Sequence, residues 1–359
     1  MNFTDQYPIL NTFTYLNTAS SGILSKSLLN WRREHDQDFF IKGSEFRNTQ
    51  ANFLQSVRNT VARFFNAKED NTFLVPNFSF GFNTFLSGLS SSHRFFLLVE
   101  DYPSINYAVQ SRGFTCTYLP MNEQLEESIL EKIKQFKPTI FAFSLVQYIS
   151  GNKFSSSLIR KIKDTFPDLM IVADGTQFCG TENFNFEQSG LDVLIASGYK
   201  WMLAGYGNGF VLLKDSVIGQ LYQTAKDSPL PNEPFLKDKQ ILSIYFEPGH
   251  QDTLAFGSLN HAILQMEHFG TDTIEHKIKH LSKRAKEAFS DRGLIDPAII
   301  NRKEHSSIYS LNVNDSVYKK LLEARVMCLV RGKGVRIAFH FYNTNEDLDL
   351  LLNVVDANL

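Results

Sequence analysis

The sequence has little cysteine. Its three cysteines, Cys116, Cys179 and Cys328, are far apart, and no two of them form a C-x-x-C pair. This spacing argues against a thiolate metal site or a redox-active pair, and the low, odd count is typical of a reducing compartment. We therefore expect no metal site and a cytoplasmic location.

Long hydrophobic runs and an excess of one charge are also missing. No apolar stretch reaches the roughly 18 residues that a membrane-spanning helix needs. Residues 1–10 lack the charged and apolar segments of a secretory signal peptide. With 36 basic and 38 acidic side chains the net charge is −2, which attracts neither nucleic acid nor an anionic membrane surface. We expect neither as a partner.

Short apolar runs alternate with amphipathic stretches between residues 72 and 213. The runs lack the polar residue at every second position that a half-exposed strand has, which is typical of strands covered on both faces. They lie at residues 95–99, 139–143, 169–173, 193–196 and 210–213. Residues 123–136 and 155–166 have apolar side chains at helical spacing, and a proline follows each. This alternation predicts an α/β domain with a mostly parallel sheet between helices.

The 359 residues are enough for two domains. Residues 227–238 contain three prolines, Pro229, Pro231 and Pro234, and are predicted to form a loop or connection. The patterns beyond it predict helices over 261–288, 316–324 and 346–355 and strands over 306–313, 326–330 and 335–341, with Asn343 or Thr344 capping the last helix. We predict a large domain over residues 15–235 and a smaller α+β domain over 236–359, with residues 1–14 packed nearby.

Two polar clusters follow neighbouring predicted strands. Asp174 and Gln177 come just after the run at 169–173, and Lys200 comes just after the run at 193–196. Because ligands bind at the carboxyl ends of parallel strands, the acid and the lysine should meet at one edge of the sheet. A lysine amine forms a Schiff base with an aldehyde, and a carboxylate keeps a pyridine nitrogen protonated. The pair therefore predicts pyridoxal 5′-phosphate (PLP) as the cofactor, held by Lys200, with Gln177 near its phenolic oxygen.

The joint pattern of DGTQ at residues 174–177 and SGYKW at residues 197–201 resembles the class V aminotransferase family of fold-type I PLP enzymes. Further stretches with a likeness to family motifs lie at residues 15–22, 76–81, 100–104, 144–151, 247–250 and 335–347. The resemblance implies an aspartate aminotransferase-like fold, with a large PLP-binding domain and a small C-terminal α+β domain. It also implies a homodimer with a shared active site.

The resemblance assigns a set of cofactor-binding residues. Phe78 and Ser79 would hold the phosphate through backbone N–H groups at a helix N-terminus and through the Ser79 hydroxyl. Tyr102 would face the pyridine ring. The remaining contacts would be to phosphate, from Ser197, from Tyr199 and, across the dimer interface, from His250.

The resemblance also assigns a substrate side. Arg336 would bind the carboxylate of an amino-acid substrate, because the guanidinium fork matches a carboxylate through two parallel hydrogen bonds. Ser20 would lie along the substrate, and Gln147 or Tyr148 would lie near the substrate or the phenolic oxygen.

The sequence motifs indicate the cofactor more clearly than they indicate the reaction. Desulfurases of this family add a nucleophilic cysteine on a loop before the C-terminal motif, and the corresponding residues 317–323 contain none. Cys328 lies in an apolar run and is expected to be a buried, inert thiol. We therefore favour an aminotransferase-like reaction on a small amino acid. The alternatives are a lyase of the desulfurase, selenocysteine lyase or kynureninase type and, in another class, a PLP-binding protein without turnover.

Overall fold

The computed structural model describes residues 3–121, 124–228, 233, 236 and 239–358. Its strands are β1 (Thr14–Tyr15), β2 (Thr72–Val75), β3 (Arg94–Leu98), β4 (Thr115–Leu119), β5 (Ile140–Ser144), β6 (Met170–Asp174), β7 (Val193–Ser197), β8 (Gly209–Leu213), β9 (Ile308–Leu311), β10 (Val326–Met327), β11 (Leu329–Arg331) and β12 (Gly334–Ala338).

Helices precede, separate and follow these strands. They are α1 (Lys26–Lys42), α2 (Gln50–Phe65), α3 (Phe78–Ser87), α4 (Pro103–Gln110), α5 (Leu125–Phe136), α6 (Ser156–Thr165), α7 (Asp215–Ile218), α8 (Gln223–Lys226), α9 (Ile241–Phe246), α10 (Thr253–Phe269), α11 (Thr271–Asp291), α12 (Pro297–Ile300), α13 (Asp315–Glu323) and α14 (Asn345–Asp356). Short 3-10 helices lie at Pro8–Asn11, Gly43–Thr49 and Glu69–Asn71.

The central sheet has the strand order β2-β8-β7-β6-β5-β3-β4. Strands β3 to β7 pair in parallel, and β8 runs antiparallel to both of its neighbours. Every residue of β5, β6, β7 and β8 is buried, as the unbroken apolar runs predict for strands with helices on both faces. The α/β fold with a mostly parallel sheet is thereby confirmed, and each of the five predicted strands lies within one residue of its expected position.

The helix predicted over residues 261–288 is wrong in its bounds. Two helices, α10 and α11, occupy this region and meet at Gly270, whose φ of 85° lies outside the helical range. The Gly270 N–H closes the end of α10 by donating to the Met266 and Glu267 carbonyls. Apolar periodicity continues through this break, so it did not reveal the turn.

The C-terminal part contains the antiparallel sheet β11-β12-β9, packed against helices including α11, α13 and α14. The predicted run at 326–330 is divided into β10 and β11, with Cys328 between them. Strand β10 pairs in parallel with β1, which ties the N-terminal segment to this part of the chain. Thr344 caps α14 in a capping box with Asp347. The domain boundaries remain predictions, and the three prolines of the predicted connection lie outside the described residues.

In the part of the chain that the structure describes, no helix is both long and apolar enough to cross a membrane.

Candidate active site

Strands β6 and β7 are parallel neighbours, and their carboxyl ends bring Asp174 and Lys200 to the same edge of the sheet, as predicted. A cavity of about 350 Å³ opens at this edge. Its lining contains most of the predicted cofactor-binding residues, namely Phe78, Ser79, Tyr102, Asp174, Gln177, Ser197, Tyr199 and Lys200, together with Tyr148 from the predicted substrate side.

Lys200 is a buried cation, with 8 % of its surface exposed. Burial lowers the pKa of its amine, the Asp174 carboxylate opposes that shift, and the positive charges of Arg336 and Arg331 add to it. The Nζ atom lies 5.4 Å from the ring centre of Tyr199 and 6.0 Å from that of Tyr102. A lysine in this setting loses its proton more readily than a surface lysine, which favours nucleophilic and basic chemistry.

Asp174 is the opposing acid. Its Oδ1 accepts the Thr176 N–H at 2.8 Å, and burial raises the pKa of the carboxyl. The Thr176 hydroxyl in turn accepts the Ser197 N–H at 3.1 Å, which ties the two strand ends together. The Thr176 N–H therefore holds the Asp174 carboxylate in one orientation.

A second buried carboxylate, Asp101, was not predicted. It follows β3 and accepts the Ser144 N–H at 2.8 Å and the Tyr102 N–H at 2.6 Å, besides the Ser144 hydroxyl. These bonds fix the turn that carries Tyr102 into the cavity. The signal that would have found Asp101 is the one used for Asp174, an acid directly after a buried strand.

The N-terminus of α3 faces the cavity. The Asn77 side chain caps the helix by accepting the Phe80 N–H at 2.9 Å, and the Phe78 N–H donates to the Ser197 hydroxyl at 2.8 Å. The Ser79 hydroxyl donates to Ser104 at 3.1 Å, while the Ser79 N–H has no hydrogen-bond partner in the described chain. The free Ser79 N–H and the positive end of the helix suit a phosphate.

Gln177 has protein partners at both ends of its amide. Its Nε2 donates to the Ala19 carbonyl at 2.9 Å, and its Oε1 accepts the Trp201 indole N–H at 2.7 Å. One Nε2 hydrogen is left for an acceptor in the cavity. Gln177 therefore joins the N-terminal segment to the turn that follows Lys200.

The three predicted substrate-side residues meet, although Tyr148 alone of them lines the cavity. The Arg336 guanidinium donates to the Tyr148 carbonyl at 2.6 Å and to the Ser20 hydroxyl. Arg336 is 4 % exposed, and burial lowers its pKa to about 10. Within the described residues its guanidinium bonds to a carbonyl and a hydroxyl and to no carboxylate, and a buried cation without an anion is costly. This arrangement favours an anionic ligand beside Arg336.

His250 and the cysteines lie outside the cavity of Lys200. His250 is exposed, in a separate cleft that Arg47 and Glu247 also line. Cys179 and Cys328 are buried, as expected for Cys328, and burial raises the pKa of Cys328 to about 12. Cys116 is half-buried on β4. No thiol therefore lines this cavity.

The donor set fits PLP. A buried primary amine is available for the aldehyde, a fixed carboxylate for the ring nitrogen, aromatic side chains for the ring and a helix N-terminus for the phosphate. Fold and site thus define a fold-type I PLP protein. The class V aminotransferase family model matches residues 39–351, and the chain belongs to this family, whose cofactor is PLP.

Similar proteins differ in their named activities. An uncharacterized aminotransferase of Bacillus subtilis is 20 % identical over 98 % of this chain and 96 % of its own length. A probable cysteine desulfurase of Borreliella burgdorferi is 20 % identical over 96 % of this chain and 92 % of its own. The structure of a C-DES mutant with glycine covalently linked to its PLP cofactor has a TM-score of 0.87 and 18 % identity, covering 98 % of this chain and 99 % of that one. At such identity this last likeness supports the fold.

Proposed function

We propose that this protein is an aminotransferase-like enzyme that removes the amino group of a small α-amino acid. The observation that supports it most is the buried Arg336 guanidinium, which has no carboxylate partner in the described chain and lies close enough to Lys200 to lower its pKa. An α-amino acid has a carboxylate next to its amine. When the carboxylate binds Arg336, the amine is directed to the cofactor at Lys200.

Each side chain of the site has a separate role in this reaction. PLP, when bound, supplies an electron sink for the bond that breaks at Cα. Lys200 would anchor the cofactor and, as a free amine, would take the Cα proton, for which its lowered pKa suits it. Asp174 would hold a proton at the ring nitrogen of bound PLP, and Arg336 with Ser20 would orient the substrate carboxylate. Tyr102 and Tyr148 meet edge to face, with ring centres 5.4 Å apart, and form part of the cavity wall.

The cysteines favour transamination over thiol-dependent sulfur transfer. A sulfur-accepting cysteine must reach the substrate as a thiolate, and burial raises the pKa of all three thiols. Cys328, the cysteine closest in sequence to Arg336, is 3 % exposed and packs in the core of the C-terminal part.

A lyase is the second candidate. It is supported by the relative named a probable cysteine desulfurase, which is similar along nearly the whole chain. Elimination from the substrate needs the same lysine, acid and arginine as transamination and requires no enzyme thiol. The two reactions therefore share one site and differ in their products.

An absorbance scan of the purified PLP-loaded protein with a panel of amino acids separates these reactions. Transamination is expected to convert the cofactor to its amine form, with release of a 2-oxo acid. Release of sulfide, selenide or alanine from cysteine, selenocysteine or kynurenine would contradict it in favour of a lyase. An unchanged spectrum with every amino acid would contradict both and favour a PLP-binding protein without turnover.

A further inference from the structure

A second cavity, of about 480 Å³, lies on the other side of Gln177 and is strongly basic. Helix α11 forms one wall, and the segment at residues 303–307 forms another. Its charged lining comprises two carboxylates, Glu182 and Glu304, and five lysines, Lys153, Lys279, Lys283, Lys286 and Lys303.

The lysines of this cavity exceed the carboxylates that could neutralise them. Lys153 pairs with Glu182 and, at 3.9 Å, with Glu304, and Lys279 pairs with Glu275 at 2.6 Å. The side chains of Lys283 and Lys303 have neither an ion pair nor a hydrogen bond within the described residues. The cavity therefore keeps a positive charge that the chain does not neutralise.

Helix α11 contributes three of these lysines from one face. Lys279, Lys283 and Lys286 are spaced four and three residues apart, so each adjoins the next on the helix surface. Like charges at this spacing destabilise a helix by roughly 0.2–0.5 kcal/mol a pair. The arrangement costs stability in the free protein, and a bound anion would offset that cost.

Arg302 is a further cation, which does not line the cavity and lies next to Lys286. Its Nε atom is buried without a hydrogen-bond partner in the described chain, and its backbone carbonyl accepts the Lys286 amine at 2.6 Å. Burial lowers the pKa of both side chains; the charge of Arg302 lowers the pKa of Lys286 further, whereas Glu126 opposes the shift of Arg302. Burial of Lys286 and Arg302 therefore costs desolvation free energy, in addition to the repulsion between the lysines of α11.

We propose that this lysine-lined cavity binds a small molecule with two or more negative charges, either a phosphate ester or a polycarboxylate. Its volume suits a small molecule and exceeds that of the cavity at Lys200. The inference concerns a separate site and holds whichever reaction the enzyme performs.

The two cavities share a wall. Val146 and Gln177 line both, and Trp201, whose indole donates to Gln177, lines the basic one. An anion that contacts this wall would shift the amide of Gln177, which also faces the cofactor site. Occupancy of the basic cavity should therefore change the absorbance of bound PLP without displacing it.

Calorimetric titration of PLP-loaded protein at constant ionic strength tests the proposal, with inorganic pyrophosphate and citrate as probes. Saturable binding of at least one probe is expected. The variant K283Q/K286Q/K303Q should bind it roughly tenfold more weakly, because three attractive charges are lost. The single variant E304Q should bind it more tightly, because a repulsive charge is removed.

The control variant K134Q/K161Q/K319Q makes the same change in net charge at lysines outside the cavity. It should bind the probe as the unmodified protein does. Equal weakening in both triple variants would mean general charge attraction and would overturn the site, as would binding that the cavity variant leaves intact. Absence of binding tighter than about 1 mM for both probes would also overturn it. Thermal melting without probe confirms that each variant is folded.

Discussion

At the scale of single residues, Lys200 carries the attachment of the cofactor. Lys200→Ala is expected to fold and to lose the absorbance at roughly 400–430 nm that PLP bound to a lysine shows, because no other amine lines the cavity. Absorbance of the purified protein, with PLP release measured after denaturation, checks this. Lys161→Ala, at an exposed lysine, should keep the band. Survival of the band in Lys200→Ala would contradict the assignment.

Burial of Lys200 predicts how PLP incorporation depends on pH. The free amine attacks only when neutral, so the rate of incorporation into apoprotein should rise with pH and level off below the ordinary lysine pKa of 10.5, since burial lowers this pKa. Asp174→Asn removes the carboxylate that opposes the shift, so its plateau should begin at lower pH. Rapid-mixing absorbance measures both curves. A rate that still rises through about pH 10 would mean a solvated amine.

Arg336 should determine substrate affinity more than cofactor binding. Arg336→Lys retains the charge and loses the fork that holds Ser20 and the Tyr148 carbonyl. We expect KM for the amino acid to rise roughly tenfold or more, because a charge-assisted hydrogen bond contributes about 1.5–3 kcal/mol. Steady-state kinetics measures this, and the PLP absorbance reports an intact site. Arg292→Lys, at a surface ion pair with Asp356, is the matched control and should change KM little.

At the scale of elements, Gly270 separates α10 from α11. Its positive φ disfavours any residue with a Cβ, and an added Cβ would lie 3.3 Å from the Thr273 hydroxyl. Gly270→Ala should therefore destabilise the protein by roughly 1–2 kcal/mol in urea unfolding. Gly219→Ala is the control, because Gly219 has an ordinary φ and nothing within 4 Å of an added Cβ. Equal stability of the two variants would contradict a strained turn.

The sequence predicted most strands of the central sheet. Strands β3, β5, β6, β7 and β8 follow from unbroken apolar runs, and the edge that they form explains why Asp174 and Lys200 meet. Strand β2 was missed because it begins with a threonine and has an apolar run of only three residues, and β4 was missed because it is half-exposed at the sheet edge.

Sequence patterns could not predict contacts between distant parts of the chain. The bond from Gln177 to Ala19 and those from Arg336 to Ser20 and Tyr148 join residues more than 150 positions apart. Family resemblance named these residues as neighbours of a ligand, whereas their bonds to one another depend on how the C-terminal part docks. Asp101 was missed although it follows a buried strand, because the motif at residues 100–104 drew attention to Tyr102 and to no other residue of that stretch.

At the scale of the whole molecule, a homodimer with shared sites stays a prediction of the family resemblance. It agrees with an exposed His250 that does not line the cavity of its own chain. Sedimentation of the PLP-loaded protein should give a dimer. A fully active monomer would contradict the role given to His250.

Mixing two variants tests the shared site directly. Lys200→Ala dimers should be inactive, and His250→Ala dimers should retain PLP weakly if His250 reaches the partner subunit's phosphate. In a mixed dimer the subunit that keeps Lys200 receives His250 from the other, so one site regains both groups. Random reassociation of equal amounts should therefore restore tight PLP binding to about one site in four. Titration of PLP retention after gel filtration measures this fraction. PLP retention equal to the average of the two separate variants would mean that Lys200 and His250 act on the cofactor of the same chain, which contradicts a shared site.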